Sequence, residues 1–345
     1  MFNGNWNQSR ERRRVLVKCG GFSSQLARNV TEKVDGDPLW GSRFDDSHPT
    51  AVVKTHLDFL RQGADIILSN TYQSSVEGFM RHLGKTREES IELIERSVRL
   101  ARQAKSLYLE EVAAANGNIG ASMPWVLASI GPYGAHLHDG SEYTGSYASR
   151  VSTKELQDWH TTRIATCLQA GVDGLAVETL PCQLEALAVT ELILERFPTA
   201  RFWVSFQCKD ESSLAHGESF ADAALAVWDL IVLHNAQSRL LGIGVNCVNP
   251  SHVTPLLKSL LAIKPKEDSI PLVVYSNRGE VYDSERGEWT GNGVNVVSFV
   301  PEWIDLGVCI IGGCCRVYPD DVLEIRKCVD GIAKEPQSSI KTSIE

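Results

Sequence analysis

The chain has 345 residues, 43% of them hydrophobic and 22% charged, which suits one large globular domain or two small ones. A formal net charge of −9 with no long basic block gives no electrostatic support for binding nucleic acid. No stretch reaches the roughly 18 apolar residues of a membrane span, and residues 1–14 lack the apolar segment of a secretory signal, so a cytoplasmic protein off the membrane is expected.

A polar flank over 1–14 precedes the first short apolar run, 15–18, and a second follows at 65–69. Thr86-Arg87-Glu88-Glu89 opens a helix as a capping box, with Ile91, Ile94 and Val98 on one face. The third run, 126–130, leads into a long polar loop over 131–150. Ser152-Thr153-Lys154-Glu155 is a second capping box, Leu156, Trp159, Ile164, Cys167 and Leu168 follow at helical spacing, and Gly171 can close that helix. A fourth run spans 174–177, after which Pro181 suits a first helical turn that Leu184, Leu187 and Ala188 continue. Runs at 202–206, 241–245, 271–275 and 308–311 complete the set, and a polar tail over 334–345 is expected to be disordered.

These runs are nearly continuous in Val, Ile and Leu, the pattern of strands buried on both faces of a parallel sheet. Eight of them alternating with helices predict an α/β fold, a (β/α)8 barrel, as a single domain over 15–333. The rival, an open doubly wound sheet, would usually carry a glycine-rich phosphate loop after its first strand. Here that strand ends in Cys19-Gly20-Gly21-Phe22, which lacks the spacing.

Barrel active sites form at the carboxyl ends of the strands. In a long chain without a secretory signal, nine cysteines argue for ligands or catalytic groups among small buried residues, and against a disulfide framework. Cys247 follows the sixth run, and Cys314-Cys315 follow the eighth behind Gly312-Gly313. In a closed barrel these ends are one strand apart, within reach of one ion. Three thiolates with an open fourth position suit a catalytic zinc site that holds a thiol substrate as thiolate. An isolated cysteine at a strand end is usually core, and it is the vicinal pair matched by a third cysteine that favours the metal. His136-Leu137-His138 resembles a metal-hydrolase pair, but no later strand end offers matching ligands, so a polar loop is preferred. Glu178, at the end of the fourth run, needs a cation, either a neighbouring basic side chain or a substrate ammonium.

Together these motifs resemble the zinc-dependent homocysteine S-methyltransferase family along most of the chain. The resemblance is carried by Cys19-Gly20-Gly21-Phe22, Asp37-Pro38-Leu39-Trp40, Thr71-Tyr72-Gln73, Gly140-Ser141-Glu142-Tyr143 and Val177-Glu178-Thr179-Leu180. Gly244-Val245-Asn246-Cys247 and Gly312-Gly313-Cys314-Cys315-Arg316 are its most specific parts. The 131–147 loop and the motif Tyr282-Asp283-Ser284-Glu285-Arg286 point to the branch that uses S-methylmethionine or S-adenosylmethionine as donor, with homocysteine as acceptor and methionine as product.

The resemblance implies zinc on Cys247, Cys314 and Cys315, and Glu178 on the acceptor's amino group. It also implies Tyr72 near the metal or the donor, with Asn246 and Ser276 lining or supporting the pocket. The family usually has Asp where this chain has Cys19, and that Asp helps to bind the ammonium. A thiol does not supply the same charge unless it is ionised. Two alternatives therefore stand beside the main expectation. One is the same barrel with betaine as donor, and the other is a zinc- or thiol-binding homologue with reduced or lost turnover.

Overall fold

A computed structural model describes residues 14–116, 123–263, 270–283, 286 and 288–334. The expected flank up to residue 13, the expected tail from residue 335, and Ser284 and Glu285 of the motif that begins at Tyr282 lie outside the described residues.

Eight parallel strands form one sheet: β1 (Leu16–Val17), β2 (Ile66–Leu68), β3 (Trp125–Ile130), β4 (Gly174–Leu180), β5 (Phe202–Phe206), β6 (Leu240–Asn246), β7 (Leu272–Ser276) and β10 (Val308–Gly313). Their order is β1-β10-β7-β6-β5-β4-β3-β2. The ring closes where Lys18 bridges Ile66 in parallel, with the Asp65 N–H donating to the Val17 carbonyl at 2.7 Å and the Cys19 N–H to that of Ile66 at 2.8 Å. β4, β5, β6, β7 and β10 are buried at every residue, as their unbroken apolar runs require. The expected single (β/α)8 barrel is therefore what the chain forms. Between β7 and β10 it adds an antiparallel ribbon, β8 (Val281–Asp283) with β9 (Glu288–Thr290), which no apolar run announced.

Helices between the strands cover the barrel. Ser152 caps Thr153–Gln169 with both halves of its capping box in place. Thr86 caps Arg87–Asn116 the same way, its N–H reaching Glu89 Oε2 at 2.8 Å and its Oγ1 accepting from the Glu89 N–H at 3.2 Å. Pro181 lies just outside its helix, which runs Gln183–Arg196 with Cys182 as N-cap. No helix among the described residues is long and apolar enough to cross a membrane.

The strands outrun their apolar runs at the carboxyl end. Glu178, Asn246, Ser276 and Gly312-Gly313 lie within strands, not after them. Ladder hydrogen bonds are made by the backbone, so pairing continues past the last apolar side chain. The Cys314 N–H donates to the Ser276 carbonyl at 2.7 Å, and the Cys247 N–H to that of Tyr275 at 3.1 Å. The glycines before Cys314 serve close packing. A side chain at Gly312 would meet the Lys18 carbonyl oxygen at 2.5 Å, and one at Gly313 would meet Val317 Cγ1 at 2.1 Å.

Candidate active site

The bends at the barrel mouth fall on residues with side chains. Cys247 (φ 53°), Thr179 (φ 61°), Arg316 (φ 66°) and Trp40 (φ 46°) all adopt left-handed backbone. Such conformations cost of order 1–3 kcal/mol each and persist where the surroundings enforce them. Cys247 and Arg316 turn the chain just past β6 and β10, where three sulfurs converge. The Sγ atoms of Cys247, Cys314 and Cys315 lie within 4.8 Å of one another, and Cys247 and Cys315 are 3.6 Å apart. Zinc–sulfur bonds of about 2.3 Å in a tetrahedron put sulfurs about 3.8 Å apart, so the trio fits zinc.

No other group of three or more His, Cys, Asp or Glu among the described residues could hold a metal. His136 instead pairs with Ser75 Oγ at 2.9 Å, and neither it nor His138 joins a ligand cluster. Cys247 and Cys315 are buried, whereas Cys314 is half-buried. S–H donation from Cys247 and Cys315 holds the Cys314 thiol well below its ordinary pKa, with Lys18 adding a smaller attraction.

The sulfurs open onto a cleft at the barrel mouth. Glu178 lines it from β4. The pairing of β4 with β5 shifts register between Val177 and Leu180, so Glu178 and Thr179 form a bulge, a device that re-aims a side chain. Asn246 holds this bulge. Its Oδ1 accepts from the Thr179 N–H at 2.7 Å and from Ser205 Oγ at 2.7 Å, and its Nδ2 donates to Thr179 Oγ1 at 2.7 Å. Asn246 is fully buried and Nδ2 also reaches Cys314 Sγ at 4.0 Å, so one amide links the carboxylate's bulge to the cysteines. Ser276 is likewise buried and is absent from the lining. Glu178 accepts a short hydrogen bond from Ser129 Oγ. Burial pushes its carboxyl up to about 7, against the pull of Lys18.

At the end of β1, Lys18 and Cys19 both line the cleft. Burial keeps the Cys19 thiol above its ordinary pKa, so it is a neutral group there. Lys18 is 3% exposed, with Nζ 2.9 Å from the Gly313 carbonyl, 3.3 Å from that of Gly20 and 4.6 Å from the Tyr275 ring centre. Burial opposes its charge, but Cys19, Glu178, Cys314 and Cys315 together outweigh burial and raise its pKa. Sequence reasoning passed over this lysine because it falls inside the first apolar run.

Aromatic rings close the outer side. Tyr72 packs edge-on against Trp40, centroids 5.9 Å apart, and Tyr143 stands beside both cleft and cysteines. A smaller cavity behind Trp40, Tyr72 and Tyr143 adds Trp289, Asp37 and Glu142. Glu142 Oε2 is buried without a hydrogen-bond partner, and burial raises its carboxyl to about 7. Arg163 anchors this wall from behind, donating to the Tyr72 carbonyl at 3.0 Å and the Gly131 carbonyl at 2.6 Å. Trp40, Glu142 and Tyr143 sit in motifs already singled out, but no role had been given to them.

The family model for homocysteine S-methyltransferase matches residues 16–329. Betaine-homocysteine S-methyltransferase of Drosophila melanogaster is 64% identical over 334 residues, 97% of this chain and 99% of its own. Selenocysteine Se-methyltransferase of Brassica oleracea var. italica is 36% identical, covering 89% of this chain and 87% of its own. Among solved structures, the metallated form of the homocysteine methyltransferase MmuM from Escherichia coli superposes with a TM-score of 0.75 at 31% identity, over 92% of this chain and 96% of that one. With its three-cysteine centre suited to zinc, the chain belongs to the homocysteine S-methyltransferase family: it is a methyltransferase, and zinc is its cofactor.

Proposed function

We propose that this chain transfers a methyl group from betaine to the thiolate of homocysteine, giving methionine, with Cys247, Cys314 and Cys315 as the zinc ligands. The donor assignment rests on the 64% identity, over nearly the whole of both chains, to a relative named for betaine. It replaces the sulfonium donor expected from the 131–147 loop. Either donor carries a cationic onium centre without an acidic proton, which suits Trp40, Tyr72 and Tyr143 and the unpartnered oxygen of Glu142.

When bound, zinc supplies the charge that keeps the acceptor's sulfur deprotonated at neutral pH. The protein's own groups do the rest. Glu178, aimed by its bulge, takes the acceptor's ammonium and so fixes where the sulfur lies. The aromatic wall holds the donor's methyl towards it. The sulfur's electron pair forms the new S–C bond in line as the N–C bond breaks, and that bond's electrons leave on a neutral tertiary amine. No general acid is needed. Alignment and exclusion of water are what the cleft contributes.

The test is a donor panel. Zinc-loaded protein with homocysteine is given betaine, S-methylmethionine or S-adenosylmethionine, and methionine is measured. Betaine should give the fastest formation. Methionine from a sulfonium donor alone would overturn the donor assignment, and no methionine from any donor would overturn the function.

A further inference from the structure

Lys18 is a buried ammonium with no direct ion pair among the described residues, and Glu178 and the cysteines favour its charge only from beyond contact distance. No carboxylate of the described residues lies within ion-pairing distance of Nζ, which meets two carbonyl oxygens and an aromatic ring. An ammonium has three N–H donors, and carbonyls account for two. One N–H of this buried ammonium is thus left unused at the cleft wall, where the anion of a ligand can take it.

The cleft itself says which anion. Apart from the cysteines, Lys18 and Glu178 are the charged side chains among its described lining residues, one of each sign. An α-amino acid is a zwitterion and needs one partner of each sign. Glu178 suits the ammonium, which leaves the carboxylate for Lys18.

We propose that Lys18 is a specificity-determining residue that binds the carboxylate of the thiol amino-acid acceptor. The proposal rests on homocysteine being the acceptor, and the test separates the two.

Calorimetry on the zinc-loaded full chain would compare homocysteine with 3-aminopropanethiol, which lacks only the carboxylate. A hydrogen bond to a charged group makes wild-type protein prefer homocysteine by about tenfold or more. Lys18→Met should bring homocysteine down to the affinity of 3-aminopropanethiol and leave the latter unchanged, with zinc content and melting temperature retained. Lys18→Arg should keep the preference. If Lys18→Met does not fold, Lys18→Gln, which can still donate to the carbonyls, takes its place.

Equal weakening of both thiols, or an undiminished preference in the neutral variant, overturns the role of Lys18 while wild-type methionine formation stands. Wild-type protein that binds neither thiol and forms no methionine overturns the functional assignment itself, and this proposal with it.

Discussion

The two ends of the cleft differ in how far their chemistry can be read from neighbouring residues. On the β6 and β10 side stand three cysteines whose sulfurs lie within 4.8 Å of one another, a group that could hold a metal. Each sulfur sits on a residue whose type already suggests its task. On the β1 side stands Lys18, a residue of an apolar run whose charge acquires meaning only from burial and from Glu178 across the cleft. Metal binding tolerates little variation because ligand type and number are dictated by the ion. Holding an amino acid tolerates more, because a charge can be supplied from several places.

The sharpest way to break this comparison is at the cysteines. Cys247→Ala should take zinc from about one per chain to a small fraction of that, because one of three protein ligands is gone. Methionine formation should fall to background, and metal analysis beside an activity assay checks both. Full activity in a zinc-free variant would remove the metal from the mechanism.

Next comes the charge across the cleft. Glu178→Gln should raise the KM for homocysteine by about 10- to 100-fold, the worth of a hydrogen bond to a charged group. Donor KM should be nearly unchanged, and an unchanged acceptor KM would free Glu178 of its contact. On the aromatic wall, Tyr143→Leu should raise donor KM by about 3- to 30-fold, as loss of one cation–π contact predicts. If it raises acceptor KM instead, the wall serves the other substrate.

A smaller effect is expected from pH. The Glu142 carboxyl is raised to about 7, so it is neutral below that pH and charged above it. Attraction for a cationic donor should therefore grow as pH rises through about 7. The donor KM should fall over that window in wild type and stay flat in Glu142→Gln, once the acceptor's own pH dependence is held constant by saturation. The smallest change is predicted for Cys19→Asp. A carboxylate there would neutralise Lys18 next to it, so homocysteine affinity should not improve. A clear gain would mean that Cys19 is a defect that Lys18 does not offset.

Much of this was legible in sequence because the determinants are local. Apolar runs separated by capped helices announced the barrel, and Ser152 and Thr86 cap as their spacing predicts. The bulge at Glu178-Thr179 was not legible, since it depends on pairing with β5 and on Asn246 reaching across from β6. Nor was the β8–β9 ribbon, whose short strands carry no apolar run. Glu142 was visible only as a motif letter. Its unpartnered oxygen and raised carboxyl come from burial beside Tyr72 and Tyr143.

The sequence by itself pointed to the barrel, to the three cysteines that could hold a metal and to the carboxylate at the end of β4. Hydrophobic periodicity and residue type act over a few neighbouring positions, and both survive without coordinates. Tertiary structure decided that the sulfur of Cys247, 67 positions (314 − 247) before Cys314, comes within 4.8 Å of those of Cys314 and Cys315. It also decided that Cys19 is neutral and that Lys18 is a buried cation facing the cleft. Those properties belong to the surroundings: desolvation and nearby charge set them, and both exist only once distant strands have closed into a ring.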